Sequence, residues 1–256
     1  MISTAYCVAS GIPLFIASRP KTPLRVLCII AFDTIYLLRT SQRISISQTR
    51  TLAAILDFGA CANAALDGKH FCPNEYKVAQ ERLETAGLAP LVESYVRRLR
   101  ELESQRPLPG GLSRNFSPVQ HYRESVVTLS LGMIVAAIFG SNDIQQGMGA
   151  IHRDNDFRIL FRIVMQCQII DDILDYSKDL RSELPGFLTA TDTLRESIEM
   201  TDRASCTYGN SAELVRSTQT FTLRLALFAL TAAARICIHL AHFRAERRLL
   251  LLKLPR

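Results

Sequence analysis

An all-α fold is predicted by three observations. Apolar residues recur with a 3.6-residue period, alternating strand-like runs are scarce, and long stretches pass without a helix breaker, since 256 residues contain only 12 Gly and 10 Pro. Helices are expected near 23–39, 46–67, 74–86, 88–105, 117–139, 155–180, 191–207 and 211–247. The second of these, over 52–69, is rich in small residues and interrupted by Asp57, Asn63 and Asp67 before Gly68. The strongest break is Pro107, Pro109, Gly110 and Gly111, after which Ser117-Pro118 supplies an N-cap with proline in the first turn. Leu184-Pro185-Gly186-Phe187 ends the helix over 155–180. Phe221 to His242 is long enough to span a bilayer, but Arg224, Arg235 and His239 are costly at membrane depth, so a buried core helix is expected there.

Composition narrows the class. Hydrophobic residues make up 48% and charged residues 21%, which suits one packed domain over 1–256 rather than disorder. The net charge of +6 is scattered and Trp is absent, so nucleic acid is not an expected partner. Seven cysteines form no Cys-x-x-Cys pair and leave an odd number, which argues for reduced thiols and a cytoplasmic setting, and several of them, notably Cys28 and Cys167, sit in apolar runs and read as small core residues. Met1 to Ile16 lacks the early positive charge of a secretory signal and is read as an ordinary first segment.

One stretch looks like chemistry. Gln168-Ile169-Ile170-Asp171-Asp172-Ile173-Leu174-Asp175-Tyr176-Ser177-Lys178-Asp179 sets four carboxylates on an apolar helix. Residues three and four apart share a helix face, so Asp171, Asp175 and Asp179 are expected as a stripe, with Asp172 beside it and Gln168 one turn earlier. Such like charges repel, and at a helix C-terminus they also oppose the dipole, unless a cation or a basic partner offsets them. Magnesium takes oxygen ligands and commonly bridges one or two carboxylates to substrate phosphates. The competing reading is a solvated acidic face.

A second polar cluster could supply facing ligands. Asn63 and Asp67 are four apart and share a face, and Asp57 lies about 80° around the helix from Asp67. Asp67 also suits a polar residue before the Gly68 cap, and Asn63 a satisfied core amide. Lys69, Arg123, Lys178 and Arg181 are the basic groups that could meet a diphosphate, or else form ordinary ion pairs.

Gln168 through Tyr176 resembles the second aspartate-rich motif of the trans-isoprenyl diphosphate synthases and, more broadly, of the class I isoprenoid synthase superfamily. The likeness covers about a dozen residues. It implies a single helical bundle with a central cavity in which a prenyl diphosphate, bound through magnesium between two aspartate-rich helices, ionises to an allylic carbocation. By that resemblance Asp171, Asp172 and Asp175 are the metal-binding and catalytic carboxylates. Asp57, Asn63 and Asp67 stand for the missing upstream Asp-Asp-x-x-Asp, and Gln168, Arg123, Lys178, Arg181 and Lys69 are substrate contacts. Departures are clear. The chain has neither the glycine-lysine-arginine segment for a second diphosphate nor the Asn-Asp-x-x-Ser-x-x-x-Glu segment of terpene cyclases, so a divergent member is expected.

Phe58, Leu131, Ile134, Phe139 and Phe161 are candidate apolar walls that would keep water from a carbocation, or plain core. Asp171→Ala and Asp172→Ala are both expected to abolish activity while leaving the melting temperature similar or slightly raised. The alternative function is a non-catalytic isoprenoid-synthase-like regulatory or binding subunit. A membrane prenyltransferase is disfavoured by a mean hydropathy of +0.13 and by charges inside the candidate spans. The tail from Arg244 to Arg256 mixes bases with four leucines and suits peripheral contact with an anionic membrane, a partner helix or a frayed end. A homodimer is among the expected assemblies.

Overall fold

The computed structural model describes residues 23–66, 72–107, 116–210 and 220–253. Among them ten α-helices and one 3₁₀ turn occur and no strand, so the chain is all-α. The described chain divides into two compact units, the first up to residue 89 apart from 66–69, the second comprising 66–69 and 90–256.

The first unit contains α1 (Pro23–Thr40), α2 (Ile46–Leu66) and α3 (Pro73–Thr85). Asp33 on α1 closes the turn into α2 by accepting from Arg43 and from the Ile44 amide at 3.1 Å. A reciprocal cap then starts α2. Ser45 N donates to Gln48 at 2.8 Å and Gln48 N donates to Ser45 Oγ at 3.1 Å, satisfying two amides that the first turn leaves without helical partners. Phe58 of α2 meets Tyr76 of α3 with ring centroids 5.0 Å apart. Gly87, at φ +77°, turns the chain after α3.

The second unit contains α4 (Ala89–Ser104), α5 (Phe116–Ile138), α6 (Ile144–Arg153), α7 (Asn155–Leu174), α8 (Tyr176–Arg181), the 3₁₀ turn Phe187–Thr189, α9 (Leu194–Gly209) and α10 (Phe221–Lys253). Helix α7 is its hub and packs against α5, α6, α9 and α10. Helices α5 and α7 run antiparallel: Phe139, just past α5, meets Phe157 in the first turn of α7 with centroids 5.8 Å apart, and Arg123 in the first half of α5 bonds Asp172 in the last turn of α7. Two glycines bring α5 and α6 together. A Cβ on Gly147 would overlap the Gly132 carbonyl, and one on Gly132 would sit 2.6 Å from Met148 Cγ. A polar node fastens α9 and α10 to the hub: buried Gln166 donates to Ser205 O at 2.7 Å and to Thr231 Oγ1 at 3.1 Å, and accepts from Ser205 Oγ at 2.9 Å.

Three expectations change. The periodic pattern missed α6, a 10-residue helix that Asp143 caps through the Gln145 amide at 2.8 Å. The predicted helix over 155–180 breaks at Asp175, which adopts φ −89°, ψ 2° between α7 and α8. The stretch from Phe221 is not a buried core helix. Among its described side chains, the buried ones are Leu223, Leu227, Ala234 and Ile238 on a single face, where α7 and α9 pack against it.

Candidate functional site

The break at Asp175 redistributes the four carboxylates. Asp171 is exposed, Asp172 is buried at 3% exposure, Asp175 is partly exposed and Asp179 is buried at 4% on α8. The predicted one-face stripe is therefore not formed, since a helix continuous to residue 180 would be needed to align Asp179 with Asp171 and Asp175.

Asp172 faces inward instead of lying beside the stripe. Its Oδ1 accepts from Arg123 Nη2 at 2.9 Å and from Gln168 Nε2 at 2.8 Å, while its Oδ2 accepts from the Phe187 amide at 2.8 Å. One carboxylate thus joins α5, α7 and the segment returning after α8. A buried charge is tolerated only when paired and hydrogen-bonded in this way. The returning segment is shaped for the contact: the Leu184 amide donates to Asp179 O at 2.9 Å, and the Gly186 amide donates to Thr189 Oγ1 at 2.8 Å. Gly186 has no Cβ to intrude, and one would stand 3.2 Å from Asp172 Oδ2 and 3.6 Å from Asp179 Oδ2. The Leu-Pro-Gly-Phe sequence signalled only the end of a helix, whereas its folded role is to lay an amide on Asp172.

On the outer side, Asp171 and Asp175 stand one helical turn apart, and Lys178 Nζ lies 3.3 Å from Asp175 Oδ2. Arg181 is exposed at the end of α8. The Asp171 charge reaches back one turn to Cys167, whose thiol is pushed up to about 11, first by burial and second by Asp171. Among the described residues, no group of three or more His, Cys, Asp or Glu side chains is arranged to hold a metal ion. Asp57 lies partly buried on α2 of the first unit; Asn63 lies on the same helix, and Asp67 and Lys69 fall outside the described residues.

A separate cavity of about 480 Å³ opens between α4, α5, α6 and α7. Arg98, Glu101, His121, Glu124, His152 and Phe161 are among the residues lining it, and Asp171, Asp172 and Asp175 are not. Of the apolar walls expected from sequence, Phe161 lines this cavity, Leu131, Ile134 and Phe58 are buried core, and Phe139 is 38% exposed. Behind Glu124, the Tyr208 hydroxyl donates to its carboxylate at 2.6 Å, and Gln120 Nε2 donates to both, at 3.0 Å and 2.9 Å. Burial, then the Glu124 hydrogen bond, pushes the Tyr208 phenol far above its usual range, so it stays protonated. The polar spacing of Gln120, His121 and Glu124 on one short stretch of α5 was the available sequence signal for this network.

Comparison with family models, curated proteins and solved structures gives no match to this chain.

Proposed function

We propose that this protein is a divergent enzyme of the class I isoprenoid synthase type, acting with magnesium on an allylic prenyl diphosphate. The carrying observation is the division of labour inside the motif: Asp172 is fixed in the core by Arg123, Gln168 and the Phe187 amide, while Asp171 and Asp175 stand one turn apart on the outer side of α7. Two carboxylates are a sufficient protein contribution for magnesium, which usually keeps several waters and completes its shell with substrate phosphates. When bound, the metal would neutralise the diphosphate leaving group as its carbon–oxygen bond breaks.

The chain's own residues then have distinct tasks. Asp171 and Asp175 hold the cation, and Lys178, now 3.3 Å from Asp175, and exposed Arg181 offer cationic contacts to the diphosphate. Arg123 is a positioning residue here, because its guanidinium is committed to Asp172. The second reading, a non-catalytic isoprenoid-binding subunit, is favoured by the same commitment of Asp172, which leaves one motif carboxylate engaged by protein donors on both oxygens.

One assay separates the two. The purified chain is incubated with magnesium and geranyl, farnesyl or geranylgeranyl diphosphate, and diphosphate release is measured. Release that depends on magnesium and disappears in Asp171→Ala supports the enzyme. Absence of release with every substrate sinks it and leaves the binding subunit.

A further inference from the structure

Helix α10 is apolar on both sides, and among the described helices α7 and α9 pack against it on one of them. Leu223, Leu227, Ala234 and Ile238 are buried, while Phe221, Leu225, Phe228, Ile236, Leu240 and Phe243 are each more than half exposed. The spacing of these six keeps them on one broad face, opposite the buried one. The row runs over Phe221–Phe243, 23 residues or about 34 Å of helix. Single exposed apolar side chains are ordinary, but six along this length, with only exposed Thr222 and His239 as polar groups on the same face, mark an interaction surface.

The occupant is set by charge and by what holds the other face. Beyond Phe243 the same helix continues through Arg244, Arg247, Arg248 and Lys253, opposed only by Glu246, with Leu249 to Leu252 between the bases. An apolar helix face followed along the sequence by a basic run complements an anionic lipid surface, which attracts the bases and takes up the apolar side chains. Parallel pairing of two copies would instead bring these basic turns side by side. Spanning the bilayer is excluded by the packed face: Thr231 accepts from buried Gln166, and Arg235 Nε lies 3.6 Å from Asp202 of α9, so lipid cannot surround the helix while the unit is folded.

We infer that α10 lies in the plane of an anionic membrane, its exposed apolar face inserted at the boundary between headgroups and acyl chains and its basic C-terminal turns against the lipid charges. This needs no diphosphate chemistry and holds whether or not the chain is an enzyme.

The full chain is centrifuged with vesicles of phosphatidylcholine alone, or of equal parts phosphatidylcholine and phosphatidylserine. The wild type is expected to pellet with the anionic vesicles, much less with the neutral ones, and less as salt is raised. The double variant Phe228→Glu/Ile236→Glu is expected to lower the partition coefficient about tenfold or more. Its melting curve should match the wild type, because both side chains are exposed. Arg247→Glu/Arg248→Glu should weaken binding to anionic vesicles and leave the weak neutral binding unchanged. A wild type that stays in the supernatant with anionic vesicles overturns the inference, as does a Phe228→Glu/Ile236→Glu variant that binds like the wild type. A wild-type dimer that this variant converts to monomer, with no vesicle binding by either, assigns the face to a second copy and overturns it equally.

Discussion

Arg123 on α5 and Asp172 on α7 form a buried ion pair at 2.9 Å, with side-chain exposures of 17% and 2%. The pair sits where two antiparallel helices and the segment after α8 converge, and it reverses one expectation drawn from sequence. Asp172→Ala was expected to be neutral or stabilising, as the removal of a repelling charge. In the fold it takes away the carboxylate that pairs with the Arg123 guanidinium and leaves the buried Phe187 amide without its acceptor. Loss of one partner of a buried pair costs about 3 to 5 kcal/mol, so urea unfolding of Asp172→Ala should show a loss of that order. Replacing both residues with apolar ones, Arg123→Met/Asp172→Leu, should cost less than either single truncation. Equal stability of Asp172→Ala and wild type would remove the clamp from this account.

Asp171 should behave in the opposite way. It is exposed, so Asp171→Ala is expected to change unfolding stability by no more than about 0.5 kcal/mol. Magnesium-dependent diphosphate release should nevertheless be lost. A variant that keeps full release rules out this carboxylate as a ligand.

Cys167 reports on Asp171 without any substrate. Its thiol titrates near 11 rather than 9 because of burial and, second, the Asp171 charge. The folded-state value is the higher one, so stability is undiminished below about pH 9, where the thiol is protonated in both states. It falls as pH rises toward 11, by about 1.4 kcal/mol per pH unit, and Cys167→Ala should remove that alkaline slope. At pH 8, iodoacetamide should modify exposed Cys72 and Cys206 well before Cys167, as read by peptide mass mapping. Asp171→Asn should move the pH midpoint of Cys167 alkylation downward, and an unchanged midpoint would mean that burial alone sets it.

The α5–α6 crossing makes two glycines unequal. Gly147→Ala would drive a methyl into the Gly132 carbonyl, backbone against backbone, with an expected cost of about 3 kcal/mol. Gly140→Ala meets open space and pays only for its φ of +74°, about 1 kcal/mol. Thermal melts of the two variants should rank them in that order.

Much of this architecture was legible in the sequence because helical periodicity is a local property. The predicted starts near 23, 46, 74, 88, 117 and 155 agree with α1, α2, α3, α4, α5 and α7 within a residue or so; α4 ends at Ser104, ahead of the predicted break, whose Pro109, Gly110 and Gly111 lie outside the described residues. The 10-residue α6 escaped notice because its Gly147 and Gly149 look like breakers, although Gly147 is there to let a neighbouring helix approach. The split of α7 from α8 was equally hidden, since Asp175 and Tyr176 carry no proline or glycine to announce it.

Spacing and composition alone establish that the chain is helical, that Asp171, Asp172 and Asp175 crowd one helix end, and that the stretch from Phe221 is long and apolar enough to span a bilayer. Which carboxylate turns inward is a matter of packing, because it depends on Arg123, 49 residues earlier, and on the Phe187 amide, 15 residues later. The sides of α10 were divided in the same way: α7 and α9 cover Leu227 and Ala234 and leave Phe228 and Ile236 to solvent. A buried charge needs a partner and an apolar face needs a cover, and both are supplied by chain segments that one-dimensional periodicity does not relate.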